Sequence, residues 1–199
     1  MKTISIAGIA GFLAVAAAAA YCQGVSSPRI APVQVLDLAG KARTVPAPAA
    51  KATILLFVST TCPYSNSESP EMAKIADRYS PKGFAFFFVY GNPYGKLGET
   101  KQHAREYNFD QPAIFDTKQT LVRAVGATNT PEAVVIAPTG NIVYHGRVDN
   151  LFSGVGMKNS VVTEHDLTDA LDAIAAGKAP AHSFEQPIGC AIPMAGPPS

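Results

Sequence analysis

Cys62-Pro63-Tyr64-Ser65 is the stretch of this 199-residue sequence whose residue types and spacing most directly specify chemistry. Cysteine reacts as a thiolate, so what matters first is what would lower the pKa of this thiol. The apolar run at 53–58, Thr-Ile-Leu-Leu-Phe-Val, has the length and the β-branched, aromatic content of a buried strand. Beyond the cysteine, Met72, Ile75, Ala76 and Tyr79 recur at helical spacing. Pro63 fits the first helical turn, where its missing N–H costs nothing. Cys62 is therefore expected at a helix N-terminus, partly exposed, where unpaired backbone N–H groups and the positive end of the helix dipole favour the thiolate. The motif is the redox Cys-x-x-Cys spacing with Ser65 at the second position. No disulfide can form within it, but the Ser65 hydroxyl, one helical turn on, can donate to the thiolate. The competing reading is a buried structural cysteine.

Thiol exchange needs a second thiol to resolve the adduct. With Cys22 set aside at the end of a leader-like segment, Cys190 is the remaining candidate. It is expected either to resolve an adduct at Cys62 or to be a structural tail residue, bonded to Cys22 or free. Ile188 and Ile192 flank it, which is better explained if this part of the tail docks on the domain than if it floats. Two cysteines and the dispersed His103, His145, His165 and His182 give no ligand spacing, so neither a metal site nor a cofactor is expected. Arg147 follows a predicted strand and can stabilise a thiolate or oxyanion. A surface salt bridge is the alternative. Asp149 is expected to organise the adjacent turn, and Tyr64 to pack beside the thiol and shape its entrance.

The elements that must position these residues alternate in type. Residues 33–38 alternate apolar and polar and read as an edge strand ending at Gly40. Residues 41–51, with Pro46 and Pro48, read as irregular. Phe84-Ala85-Phe86-Phe87-Phe88-Val89-Tyr90 is a second continuous apolar run, as in parallel sheets covered on both faces. Helices are expected over 99–107 and 118–125, with a short strand at 113–115. A hairpin at 133–146 is expected to turn at Pro138-Thr139-Gly140. Residues 151–160 read as a Gly-rich loop. Thr163 can cap a last helix whose Leu167, Ala170, Leu171 and Ile174 share a face, with Gly177 ending it. The Pro- and Ala-rich tail shows no apolar period. The predicted fold class is α/β, with short strand–helix connections in a layered domain.

Hydrophobic content of 47% and charged content of 16% fit a globular chain and exclude a disordered one. The length suits one domain with a sizeable core. Net charge is +1, and no basic stripe marks a nucleic-acid partner. Lys2 is the one charged residue before an apolar run at 4–20 that ends in small residues, so residues 1–22 read as a secretory signal peptide, cleaved after Ala20 or Cys22. Membrane attachment is expected only if Cys22 is lipidated, and Tyr21 is a poor residue before such a cysteine. Export to the periplasm or beyond is expected, where disulfides persist. The divisions expected are 23–32 as linker, 33–177 as the domain and 178–199 as the tail.

Thr61 to Asn66, Thr130-Pro131-Glu132, residues 144–149 and Gly189-Cys190-Ala191-Ile192 stand in the order and spacing of known motifs. The chain is similar to the thioredoxin-like redoxin family, of the alkyl hydroperoxide reductase and thiol-specific antioxidant type, in a secreted bacterial subtype, over roughly residues 30–192. The resemblance implies a thioredoxin-like fold with a central mixed sheet flanked by helices. It implies a cis bond before Pro131, beside the nucleophile, with the Thr130 backbone presented to an extended substrate and Pro63 and Tyr64 on the same surface. It makes Ser59 a hydrogen-bonding hydroxyl for a peroxide-reducing cysteine. The full peroxidase pattern of that family carries a proline four residues before Ser59, where this chain has Leu55. The activity implied is thiol-disulfide exchange on protein thiols or disulfides with an unidentified electron donor. Peroxide reduction is the variant. A non-catalytic thioredoxin-fold module binding a metal or protein partner is the alternative from another class.

Overall fold

A computed structural model describes residues 28–196. The expectations placed on residues 1–22, Cys22 included, fall outside it. In chain order the strands are β1 (Val33–Leu36), β2 (Ala42–Val45), β3 (Thr53–Phe57), β4 (Ala85–Tyr90), β5 (Ala113–Phe115), β6 (Asn129–Thr130), β7 (Glu132–Ile136), β8 (Ile142–Gly146), β9 (Phe152–Gly154), β10 (Met157–Lys158), β11 (Phe184–Glu185) and β12 (Cys190–Ala191). The helices are α1 (Pro63–Tyr79), α2 (Leu97–Glu106), α3 (Thr120–Val125) and α4 (Asp166–Ala175).

Six strands form the central sheet in the order β11-β8-β7-β3-β4-β5. Strands β3, β4 and β5 run parallel, β7 lies antiparallel to β3, and β8 antiparallel to β7. This mixed sheet with helices around it is the thioredoxin-like α/β architecture. Every residue of β3 is buried because both faces of the sheet are covered. Ile54 and Leu56 face a core with Met72, Ile75, Leu167 and Leu171, from α1 and α4. Leu55 and Phe57 face the opposite core with Leu121, Val122 and Val125, from α3. The continuous apolar run thus serves two cores at once. Truncating Leu55 or Leu56 to alanine is expected to cost about 2–5 kcal/mol.

Four local expectations are corrected. Residues 42–45, expected to be irregular, form β2, which pairs antiparallel with β1. The Asp37 carboxylate fixes the turn between them by accepting from the Ala39 and Lys41 N–H groups at 2.9 Å each. Residues 152–158, expected to be a loop, form the β9–β10 hairpin. Thr163 does not cap α4. It bonds instead to Asn150, whose side chain donates to Thr163 Oγ1 and accepts from the Thr163 N–H. The tail, which lacks an apolar period, nonetheless adds β11 to the central sheet and pairs β12 with β6. Strands this short are held by their neighbours' backbone groups, so periodicity in their own sequence is not required.

Candidate active site

Strand β3 feeds into α1 through a short loop. The N–H of Ser59 donates to the buried Ser65 Oγ at 3.0 Å, pinning the loop to the first turn of the helix. Ser59 Oγ in turn accepts from the Thr61 N–H at 3.3 Å. Cys62 is the N-cap of α1, with extended backbone angles and no side-chain cap bond, and Pro63 opens the helix. The Cys62 carbonyl accepts from the Asn66 N–H at 2.9 Å. The cysteine therefore stands where helix N–H groups and the dipole meet.

Cys62 is disulfide-bonded to Cys190, 128 residues away in sequence, with 5.9 Å between the Cα atoms. The expected partial exposure of Cys62 is overturned: it is 2% exposed. The tail strand carrying Cys190 lies over it and excludes solvent. The carbonyl oxygen of Thr130, the residue paired with Cys190, is 3.0 Å from Cys62 Sγ. The bonded sulfur carries no proton, but the reduced thiol can donate to this carbonyl. The bond between Thr130 and Pro131 is cis, and a second cis bond, Val45–Pro46, lies in the amino-terminal region. Glu132, fully buried after the cis-proline, holds this turn. Its Oε2 accepts from Thr128 N–H at 2.9 Å, Thr128 Oγ1 at 3.1 Å and Asn129 N–H at 2.7 Å, while Oε1 pairs with His145.

The tail enters as a strand. Cys190 stands opposite Thr130 and Ala191 opposite Asn129. The Ile192 N–H donates to the Thr128 carbonyl at 2.8 Å. Ile192 is buried in the core layer of Val122 and Val125, and Ile188 is half-buried. Beyond it, Gln119 takes hold of the tail backbone, donating to the Pro193 carbonyl and accepting from the Ala195 N–H. A depression of about 100 Å³ beside the disulfide is lined in part by Ser59, Thr61, Cys62, Asn92, Thr130 and Cys190.

The other predicted residues take different places. The Tyr64 hydroxyl accepts from the Gly156 N–H at 2.7 Å, and its ring packs on Phe152, joining α1 to the β9–β10 hairpin. Arg147 is not among the residues lining the depression. Its guanidinium pairs with Glu164 and with Asp166, the latter at 2.7 Å. The Asp149 carboxylate accepts from the Leu151 N–H at 2.7 Å, as a turn-organising residue does. Among the described residues no group of three or more His, Cys, Asp or Glu side chains comes together as a metal site.

Sequence reasoning missed Glu68, in the second turn of α1. It is buried, one carboxyl oxygen has no partner, and it faces Asp149. Loss of water around it, followed by the Asp149 charge, pushes its pKa up to about 9. The Asp149 carboxyl is also raised, chiefly by burial. His103 was assigned no role. Its Nδ1 meets the Tyr90 hydroxyl at 2.8 Å and its Nε2 meets Asn66 Oδ1 at 2.9 Å, tying α2 to α1, and burial holds its pKa below the ordinary value. Gln119 and Glu132 were missed as well. Nothing in their local sequence marks them, except that Glu132 follows Pro131.

A thiol at a helix N-terminus beside a cis-proline strand, on a mixed sheet of this order, defines a thioredoxin-like redoxin. The chain belongs to the AhpC/TSA family, whose model matches residues 29–145. No curated protein matches it. Among solved structures it is similar to an uncharacterized conserved protein from Geobacillus kaustophilus, with 24% identity, a TM-score of 0.76, and 85% of this chain and 92% of that one covered. A hypothetical protein from Sinorhizobium meliloti 1021 gives 28% identity, a TM-score of 0.74 and coverage of 83% and 92%. A secreted Mycobacterium tuberculosis disulfide oxidoreductase homologous to E. coli DsbE shares the fold at 15% identity, with a TM-score of 0.53 and coverage of 73% and 95%.

Proposed function

We propose that this protein is an exported thiol-disulfide oxidoreductase in which Cys62 attacks and Cys190 resolves. The observation that carries the reading is the bond between Cys62, at the N-cap of α1, and Cys190, on a strand paired beside the cis-proline. In the reducing direction, the Cys62 thiolate attacks one sulfur of a substrate disulfide and the other sulfur leaves as a thiolate. The Cys190 thiolate then attacks Cys62 in the mixed disulfide. The second substrate sulfur leaves as a thiolate and the Cys62–Cys190 bond forms. Two electrons move from the protein to the substrate, and an external thiol donor restores the pair. The oxidising direction is the reverse. The paired cysteines support thiols and disulfides as the substrate class, a secreted disulfide oxidoreductase shares the fold, and the Lys2-led apolar segment supports export.

Peptide mapping of the mature protein after mild oxidation tests this. The expected product is the Cys62–Cys190 pair. Cys190→Ser is expected to hold Cys62 as a persistent mixed disulfide with the substrate. Finding Cys62 only as sulfenic acid or as a Cys62-linked dimer, unchanged by Cys190→Ser, would leave Cys190 structural and overturn the reading. Rapid oxidation by hydrogen peroxide, with no exchange on insulin, would favour the peroxidase variant.

A further inference from the structure

The tail does more than deliver a sulfur. Residues 189–195 lie on the protein in the manner of a bound peptide. Main-chain groups carry most of the recognition: β12 pairs with β6, and the Ile192 N–H reaches the Thr128 carbonyl. Gln119 acts as a further short strand. Its side-chain amide donates to the Pro193 carbonyl at 2.6 Å and accepts from the Ala195 N–H at 2.9 Å. Gln119 is fully buried with the tail in place, and the same amide nitrogen also donates to the Gly91 carbonyl at 3.0 Å, which holds it from the domain side. The Asp116 carboxylate fixes the turn beside it by accepting from the N–H groups of Thr120, Leu121 and Val122.

Two positions within residues 189–195, besides the cysteine, are read closely. Ile192 is buried against Val122 and its neighbours in the core layer. At Gly189 a Cβ would stand 2.1 Å from the Thr130 carbonyl oxygen, so no larger residue fits without displacing that strand. Main-chain pairing for affinity, with a few side-chain positions for selectivity, is how an exposed strand edge receives an extended peptide.

We propose that the β6 groove is a receptor for an extended polypeptide segment bearing a disulfide-bonded cysteine, with glycine just before that cysteine and an aliphatic residue two positions after it, and that residues 189–195 are its resident surrogate. The inference rests on the reading of Cys62 as the attacking thiol. The substrate strand and the tail claim the same Thr128 and Thr130 backbone, so they bind in turn. When Cys190 attacks the mixed disulfide, β12 re-forms on β6 and expels the substrate strand. Resolution and product release are then one event. No reagent beyond the substrate disulfide and the two protein thiols is needed, and the electrons balance as above.

The test uses the full-length Cys190→Ser protein and a synthetic ten-residue peptide with the sequence of residues 186–195. The peptide cysteine is carried as its mixed disulfide with thionitrobenzoate, whose release reports attack by Cys62. Two control peptides carry valine in place of the glycine, or serine in place of the second isoleucine. The small symmetric aromatic disulfide of the same leaving group reports the intrinsic reactivity of Cys62. The tail-sequence peptide is expected to react at least about tenfold faster than either control. Equal rates for all three peptides, with brisk reaction of the small disulfide, would overturn strand recognition and leave the thiol chemistry standing. No reaction with any of the four would overturn the thiol reading and this inference together.

Discussion

The two halves of the site are built in opposite ways. The Cys62 half is contiguous: strand, loop, cysteine, proline and helix follow one another within residues 53–79. The Cys190 half is assembled from segments far apart in the chain, with β6 meeting the tail through backbone groups and Gln119 through its side-chain amide. Local order can make a thiol reactive, because a helix N-terminus needs no distant partner. It cannot supply a second thiol once Ser65 stands in the motif. The long-range half supplies one, and with the disulfide formed Cys62 is buried.

Removing one sulfur from each half separates them most sharply. Cys62→Ser is expected to abolish exchange. Cys190→Ser is expected to leave the first attack intact and to slow release of product by at least about a hundredfold, because resolution then waits on an external thiol. Quench-flow followed by mass spectrometry of trapped adducts reads the two steps apart. Equal loss in both steps for Cys190→Ser would merge the two halves into one functional unit.

That asymmetry also governs how much could be read from the sequence. The fold class, the thiol and its helix were legible because hydrophobic period and the Cys-Pro step are local signals. Strands β2, β10 and β12 were not, since each is held by one partner strand rather than by its own pattern. The docking of Ile192 was legible from two isoleucines around a cysteine, whereas the burial of Cys62 was not, because the tail that buries it arrives from 128 residues away. Gln119 gave no sign at all. A glutamine that binds main chain looks like any loop glutamine until the strand beside it is known.

The Cys62 helix carries its own perturbation, and it makes the next largest effect. Glu68 is raised from its ordinary value of 4.5 to about 9 by burial. The folded state therefore holds a proton that the unfolded state releases between those values. Stability contributed by the protonated form is present below pH 4.5 and is lost as pH rises through about 9. The slope is about 1.4 kcal/mol per pH unit. Glu68→Gln, which cannot ionise, is expected to flatten this part of the profile and to be more stable than the parent at pH 8. Urea unfolding of the oxidised protein at pH 6, 7 and 8 reads it. Parallel parent and variant profiles would mean that Glu68 is ionised in the folded protein.

A smaller change addresses the long-range half. Gln119→Ala removes one donor and one acceptor from the tail backbone, and a bond to the Gly91 carbonyl within the domain, without touching either sulfur. Two hydrogen bonds of ordinary strength are worth roughly 1–3 kcal/mol together. Closure of the Cys62–Cys190 bond from the reduced protein is expected to slow by about tenfold, since fewer tails are docked when the thiolate forms. An unchanged closure rate would show that β12 pairing and Ile192 hold the tail by themselves.

Arg147 should produce the smallest effect, and it tests whether the site has a third part. Its type suited a thiolate partner, yet its guanidinium joins the end of β8 to the start of α4 through Asp166 and Glu164. Asp166 is the first residue of α4, so its carboxylate is favoured there by the helix dipole even without the arginine. The pair is part-exposed, and such pairs contribute about 1 kcal/mol or less. Arg147→Ala is expected to lower stability by about that amount and to leave the rate of first attack by Cys62 within about twofold of the parent. Stopped-flow reaction of the reduced protein with a small disulfide, across a pH series, measures this directly. A tenfold loss with a raised apparent thiol pKa, in a variant whose unfolding curve is nearly unchanged, would place Arg147 in the electrostatics of Cys62 after all. The contiguous half would then owe part of its reactivity to a residue 85 positions downstream, and the division between local and long-range construction would no longer hold at the thiol itself.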